Sequence, residues 1–205
     1  TPIRDRTAMT QNLIQAAERG DAALVQQLLR DGADLNGRDG RGRTPIMAAT
    51  HGNRPAIVQI LVQAGADINL QDEIKDNPFL YAGAEGRLEV LKLLIDARAD
   101  TRITNRFGGT ALIPAAERGH VEVVQELLSR TNVKIDHVNN LGWTALLEAV
   151  ILGDGGPRRT EVVRLLIAAG ANVNIPDGRG VTPLSHARQR GYTQMIGLLE
   201  RAGAR

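Results

Sequence analysis

Thr110–Leu128 reads TALIPAAERGHVEVVQELL. Leu112, Ile113, Ala115 and Ala116 form one apolar set at helical spacing, and Val121, Val123, Val124, Leu127 and Leu128 form a second. Between them stands Gly119, which can take the left-handed backbone conformation that reverses a chain. The stretch therefore predicts a helical hairpin. Each helix has only about two or three turns, too short to persist alone in water, so its apolar faces must be buried against further hairpins.

Close copies recur above and below it. The first helix of each copy opens at Gln11, Thr44, Asn77, Thr110, Thr144 and Thr182, with steps of 33, 33, 33, 34 and 38 residues. Thr44-Pro45, Asn77-Pro78 and Thr182-Pro183 put a capping side chain before a proline at the first helical position, where the missing N–H is not needed. Nine residues after each opening come Gly20, Asn53, Gly86, Gly119, Gly153 and Gly191, and a left-handed residue is expected at all six, asparagine being the natural substitute for glycine.

The pattern Asp39, Gly42, Thr44, Pro45, Ala49, Asn53, Val58, Leu61, Gly65, Ala66 and Asp67 resembles the ankyrin repeat over about residues 8–205. The resemblance implies an all-α fold, a curved solenoid of stacked helix-turn-helix units. Each unit would carry a β-hairpin finger, and the fingers and inner helices would line a concave face. Six repeats are expected, at about 6–38, 39–71, 72–104, 105–138, 139–176 and 177–205, as one domain over 1–205 with the first and last units as caps.

Departures from the family pattern carry their own expectations. The position commonly occupied by histidine in the family is Ile14, Met47, Leu80, Ile113, Leu147 and Ser185, so a polar ladder gives way mainly to packing. Arg98 replaces the glycine seen at Gly32, Gly65 and Gly170, at about 1 kcal/mol, and the finger beyond it is expected to bend. Pro114 should cost one helical hydrogen bond and kink its helix. Asn132 is expected to stop the fourth outer helix. Gly155–Arg159 reads as a loop between the helices of the fifth unit, with Thr160 capping the second of them.

Composition narrows the function. Two Phe, two Tyr and one Trp in 205 residues are too few for an aromatic core, so small aliphatic residues must build it. The formal charge of +2 comes from 25 basic and 23 acidic residues that are interspersed, which argues against nucleic acid as a partner. Residues 1–100 hold 12 basic and 14 acidic groups, residues 101–205 hold 13 and 9. With no cysteine there is no disulfide, thiolate metal site or thiol nucleophile. The only serines, Ser129 and Ser185, suggest no triad. His51, His120, His137 and His186 have no second histidine at metal-sharing spacing, so neither an enzyme nor a cofactor is expected. No apolar run is long enough for a membrane span, and a soluble monomer is expected, cytoplasmic or exported to a bacterial periplasm. The chain opens at Thr1 without an initiator methionine, which suggests that residues have been removed.

The resemblance places finger tips and exposed inner-helix ends on the concave face. Arg38, Arg41, Arg43 and His51 form a basic patch there beside an acidic one in which Ile74 accompanies Glu73, Asp76 and Glu85, and the two could partly satisfy each other. Arg106, Phe107, Leu141, Trp143, Ile151 and Leu152 form a run of large groups suited to anchoring a protein partner. A second reading stays open, in which Trp143 and Leu141 pack on the adjacent finger. The family resemblance implies a non-enzymatic protein-binding module of the standalone bacterial type, some of which are exported and support partner enzymes. The alternative function is an anion or nucleic-acid-backbone sensor built on the arginines and residues 155–160.

Overall fold

The computed structural model describes residues 3–205, with side chains from residue 6, in two compact units. The first, residues up to Ala82 and Arg87–Asp100, holds α1 (Ile3–Arg19), α2 (Ala22–Arg30), α3 (Pro45–His51), α4 (Pro55–Gln63), most of α5 (Pro78–Glu85) and α6 (Leu88–Asp96). The second, Gly83–Gly86 and Thr101–Arg205, holds α7 (Leu112–Glu117), α8 (Val121–Arg130), α9 (Ala145–Ile151), α10 (Pro157–Ala168), α11 (Pro183–Arg190) and α12 (Thr193–Arg201). Consecutive helices pair as hairpins, numbered one to six.

Within each unit inner helices pack on inner helices and outer on outer: α1 on α3 and α4 on α6 in the first, α7 on α9, α9 on α11 and α10 on α12 in the second. The sequence of each layer follows from this. All six residues of Ala145–Val150 in α9 are buried, as are Pro45–Thr50 in α3, which is why these two inner helices are apolar on nearly every side. Outer helices bury a single stripe, such as Ile57, Val58 and Leu61, or Val162, Val163 and Leu166. Alanine fills the inner positions, including Ala48, Ala49, Ala115 and Ala149, because neighbouring backbones lie too close for larger groups.

The expected caps form. The Thr44, Thr144 and Thr182 hydroxyls accept from the backbone N–H three residues on, each at 3.2 Å, and Asn77 Oδ1 accepts from Leu80 at 2.9 Å. Gly20, Asn53, Gly86, Gly119 and Gly191 are left-handed. Other expectations need correction. Helix α1 begins at Ile3, well before Gln11. In hairpin five the left-handed residue is Gly155, not Gly153, because residues 157–160 extend α10 by a turn: Pro157 is its first residue and Thr160 lies inside it. Helix α8 ends on extended Thr131, whose hydroxyl donates to Leu127 O, and Asn132 instead accepts from the Thr101 hydroxyl at 2.9 Å.

Arg98 does adopt φ 63°, but the finger beyond it does not bend. Its N–H bonds Ile95 O and that of Ala99 bonds Leu94 O, the same two bonds that Gly65 and Ala66 make. Pro114 costs its helix a hydrogen bond, as expected. α7 has six residues, and the Thr110 carbonyl, denied an N–H at 114, accepts from Ile113 at 3.2 Å. The Thr110 hydroxyl is buried with no partner, so this helix lacks the cap its counterparts have.

A polar ladder also exists, at a different place from the one the histidine position would occupy. Asn36 Oδ1 accepts from Asp67 N–H and Asn69 Oδ1 from Asp100 N–H in the first unit. In the second, Asp136 accepts from Asn172 N–H and Asn174 from Arg205 N–H, all at 2.9–3.0 Å. Side chains thereby satisfy the turn backbone that follows α4, α6, α10 and α12.

Candidate partner-binding face

The fingers are tight turns, and among the described residues no strand forms, so the β-hairpin expectation is corrected in detail. Each spans five residues: 39–43, 72–76, 105–109, 139–143 and 177–181. The first residue, Asp39, Asp72, Asn105, Asn139 or Asp177, uses one side-chain oxygen to accept two backbone N–H groups, two and four residues on. Its own N–H bonds the carbonyl of the fifth residue. The fourth residue is left-handed, at Gly42, Lys75, Gly108, Gly142 and Gly180. Most of each turn's backbone bonds close within its five residues, and single bonds such as Glu73 N–H to Arg41 O and Asn140 N–H to Phe107 O, rather than a ladder, join successive fingers.

The third residue is the tip. It is Arg41, Ile74, Phe107, Leu141 or Arg179, and in all five its backbone is fixed by the side chain beneath. Ile74 is 49% exposed, Phe107 53% and Leu141 61%, so three rigid tips hold large apolar groups in water. Leu152, just past the end of α9, is 46% exposed. The Arg106 guanidinium lies 4.5 Å from the Phe107 ring centroid.

In the first unit the candidate residues divide. Arg43 is buried; its Nε donates to Asp39 at 2.9 Å and its terminal nitrogens to Glu18 at 3.1 and 3.4 Å. Burial alone would raise the Asp39 carboxyl, but the Arg43 and Arg41 bonds hold it below its ordinary range. Arg43 thus finds its partners in Glu18 and Asp39 rather than in Glu73 or Asp76. His51 stacks on Tyr81, centroids 4.7 Å apart, with Nδ1 3.6 Å from Glu18. Arg41 stays exposed at its tip.

In the second unit Leu141, Trp143 and Ile151 come together with Asp177, Gly178, Arg179, Val181, His186 and Gln189 around a groove of about 600 Å³. Trp143 and Ile151 are half-buried. Beneath this finger lies Glu148 of α9, 3% exposed. Its Oε1 accepts from Asn139 Nδ2 at 2.8 Å, while its Oε2 has no partner. Burial pushes the carboxyl up to about 7. One hairpin on, His186 occupies the corresponding place, its Nε2 2.7 Å from Asp177 Oδ2 and its Nδ1 3.1 Å from Arg190. With Arg190 donating to Nδ1, the ring proton sits on Nε2 and is given to Asp177. That bond, after the one from Val181 N–H, keeps the Asp177 carboxyl below its usual range.

The arginines of the 155–160 segment are engaged. Arg158 donates to Gly119 O and Glu122, Arg159 to Glu117 O, and Tyr192 OH donates to Gly153 O at 3.1 Å from the other side. The segment joins hairpins four, five and six, and neither guanidinium is free for a bound anion. Among the described residues no group of three or more His, Asp or Glu could hold a metal.

The model of ankyrin repeats in three copies matches residues 13–105 and 79–177. The chain belongs to the ankyrin-repeat family. Ankyrin repeats are protein–protein interaction modules, and proteins of the family are in general not enzymes. This ankyrin-repeat chain is similar to an ankyrin repeat domain (ABAYE2397) of Acinetobacter baumannii AYE. The two are 50% identical, with 94% of this chain and 98% of that one covered at a TM-score of 0.91. It is 44% identical over 80 residues to the ankyrin repeat protein YahD of Escherichia coli K12, a match spanning 39% of this chain and 40% of the length of YahD. It is also similar to a chain in the structure of the Bd0816 predatory endopeptidase of Bdellovibrio bacteriovorus in complex with immunity protein Bd3460, 26% identical, with 93% and 97% covered and a TM-score of 0.79. No helix among the described residues of this ankyrin-repeat protein is long and apolar enough to cross a membrane.

Sequence reasoning passed over two features of this face. The acid or amide that builds each finger recurs at 39, 72, 105, 139 and 177, a spacing visible beside that of the threonines. Glu148 could have been found as the one acid inside an otherwise apolar inner helix, ALLEAVI.

Proposed function

We propose that the chain binds a partner protein on the face formed by its finger tips and inner-helix ends, and that in doing so it supports or regulates that partner. The observation that carries this reading is Leu141, 61% exposed on a turn whose backbone N–H groups are all bonded and beside half-buried Trp143. A side chain packed against its neighbour would be covered; this one is held in water by a rigid mount, a geometry that gives binding energy at little entropic cost. Phe107 repeats the arrangement one hairpin earlier. The similarity to a chain from an endopeptidase–immunity protein complex supports an enzyme as the partner.

Trp143→Ala should abolish capture of the partner from a lysate of the source organism, with the melting temperature lowered by only a few degrees. Recovery of the same proteins by wild type and variant would refute the assignment, and a collapse in melting temperature would place Trp143 in the packing instead.

A further inference from the structure

The groove beside Trp143 is specific in what it offers. Leu141, Ile151 and Val181 give it apolar walls, and the Trp143 indole N–H and the Gln189 amide have no hydrogen-bond partner among the described residues. Three ionisable groups line it. Asp177 and His186 are bonded to each other at 2.7 Å with side chains only 9% and 12% exposed, so the Asp177 carboxylate is committed to the histidine and offers little surface to a visitor. Arg179 remains, exposed at its finger tip with no acid paired to it among the described residues. Arg190 adds a second cation behind His186. Among the described residues that line the groove, Arg179 is therefore the one exposed charge.

From this exposed cation beside apolar walls, and resting on the protein-binding reading above, we infer that the groove receives an extended polypeptide segment carrying one large apolar side chain and, within a few residues, an Asp or Glu. The apolar group lies against Trp143, Leu141 and Ile151, where desolvation supplies most of the affinity. The acid meets Arg179, which rejects a lysine by like charge and so sets specificity. The indole N–H and the Gln189 amide suit the backbone carbonyls of an extended chain, whose polar groups would otherwise lose water without replacement.

A random dodecapeptide phage library panned against the intact chain tests this. The enriched peptides should share a large apolar residue with an Asp or Glu nearby, and the synthetic consensus peptide should lose about tenfold or more in affinity on Leu141→Asp, which leaves a solvent-exposed position folded. Arg179→Glu should weaken the same peptide and favour its Lys-substituted version. Peptides that depend on Leu141 but ignore both Arg179→Glu and the Lys exchange would overturn the acidic specificity and leave the protein-binding reading standing. Enrichment of no peptide sensitive to Leu141→Asp would overturn both.

Discussion

Glu148→Gln is expected to remove a loss of stability of about 3 kcal/mol that the wild-type chain undergoes as pH rises from about 4.5 to 8. The carboxyl is buried in α9 with one oxygen bonded to Asn139 and the other to nothing. Burial raises it from its ordinary 4.5 to about 7; the Asn139 bond opposes the rise and the nearby Glu117 charge adds to it. The folded chain therefore keeps a proton that the unfolded chain has released over this range. Stability from that proton is complete below the ordinary carboxyl range and is lost as pH rises through about 7. Glutamine mimics the protonated form at every pH, so the variant should unfold with a flatter pH profile and be the more stable protein at pH 8.

Urea unfolding at pH 5 and pH 8, followed by the fluorescence of Trp143, the only tryptophan, reads the hairpin that contains Glu148. His120, whose proton affinity burial lowers, tilts the profile the other way, but it does so equally in both proteins and cancels in their difference. Equal slopes for wild type and variant would mean that Glu148 is already charged in the folded chain at pH 5.

Gly52→Ala is expected to destabilise the first unit by about 2–3 kcal/mol. Gly52 has φ −75° and ψ −5°, which any residue can adopt, so the cost is purely one of space. A Cβ there would lie 2.0 Å from the carbonyl oxygen of Glu18 and 3.0 Å from its carbon. That carbonyl is fixed: it accepts from Arg54 Nε at 3.1 Å, and the Glu18 side chain grips Arg43. Relief requires moving α1 off α3, the pair that packs most of the first unit's inner layer. At Gly32, by contrast, φ is +88° and nothing lies within reach of a Cβ, so alanine costs only about 1 kcal/mol of backbone strain. Circular dichroism in urea distinguishes the two variants, and similar small losses for both would contradict the close approach of α1 and α3.

What the sequence made legible and what it did not divide along a physical line. The register of the hairpins was readable because helix caps and left-handed turns are local: Thr44, Asn77, Thr144 and Thr182 act on residues three places away, and Asn53 on its own backbone. Gly52 was invisible for the opposite reason, since its conformation is ordinary and only a carbonyl 34 positions earlier explains it. The 155–160 segment read as a loop because Gly, Pro and Arg are loop residues; in place, Pro157 starts a helix and both arginines reach residues 36 to 42 positions away. The basic patch divided for a similar reason. Nothing local distinguishes Arg43, bonded to Glu18 of the preceding hairpin, from Arg41, exposed at its finger tip.

The central claim, that rigid finger tips and the ends of the inner helices form the surface that grips a partner protein, is tested most directly by titrating the captured partner into isotopically labelled chain and following its NMR amide and indole signals. The predicted result is change concentrated at Arg106, Phe107, Leu141, Trp143, Ile151, Leu152 and Arg179, with the Trp143 indole N–H among the most shifted. Change concentrated on the outer helices α8, α10 and α12, with that indole signal unmoved, would contradict it.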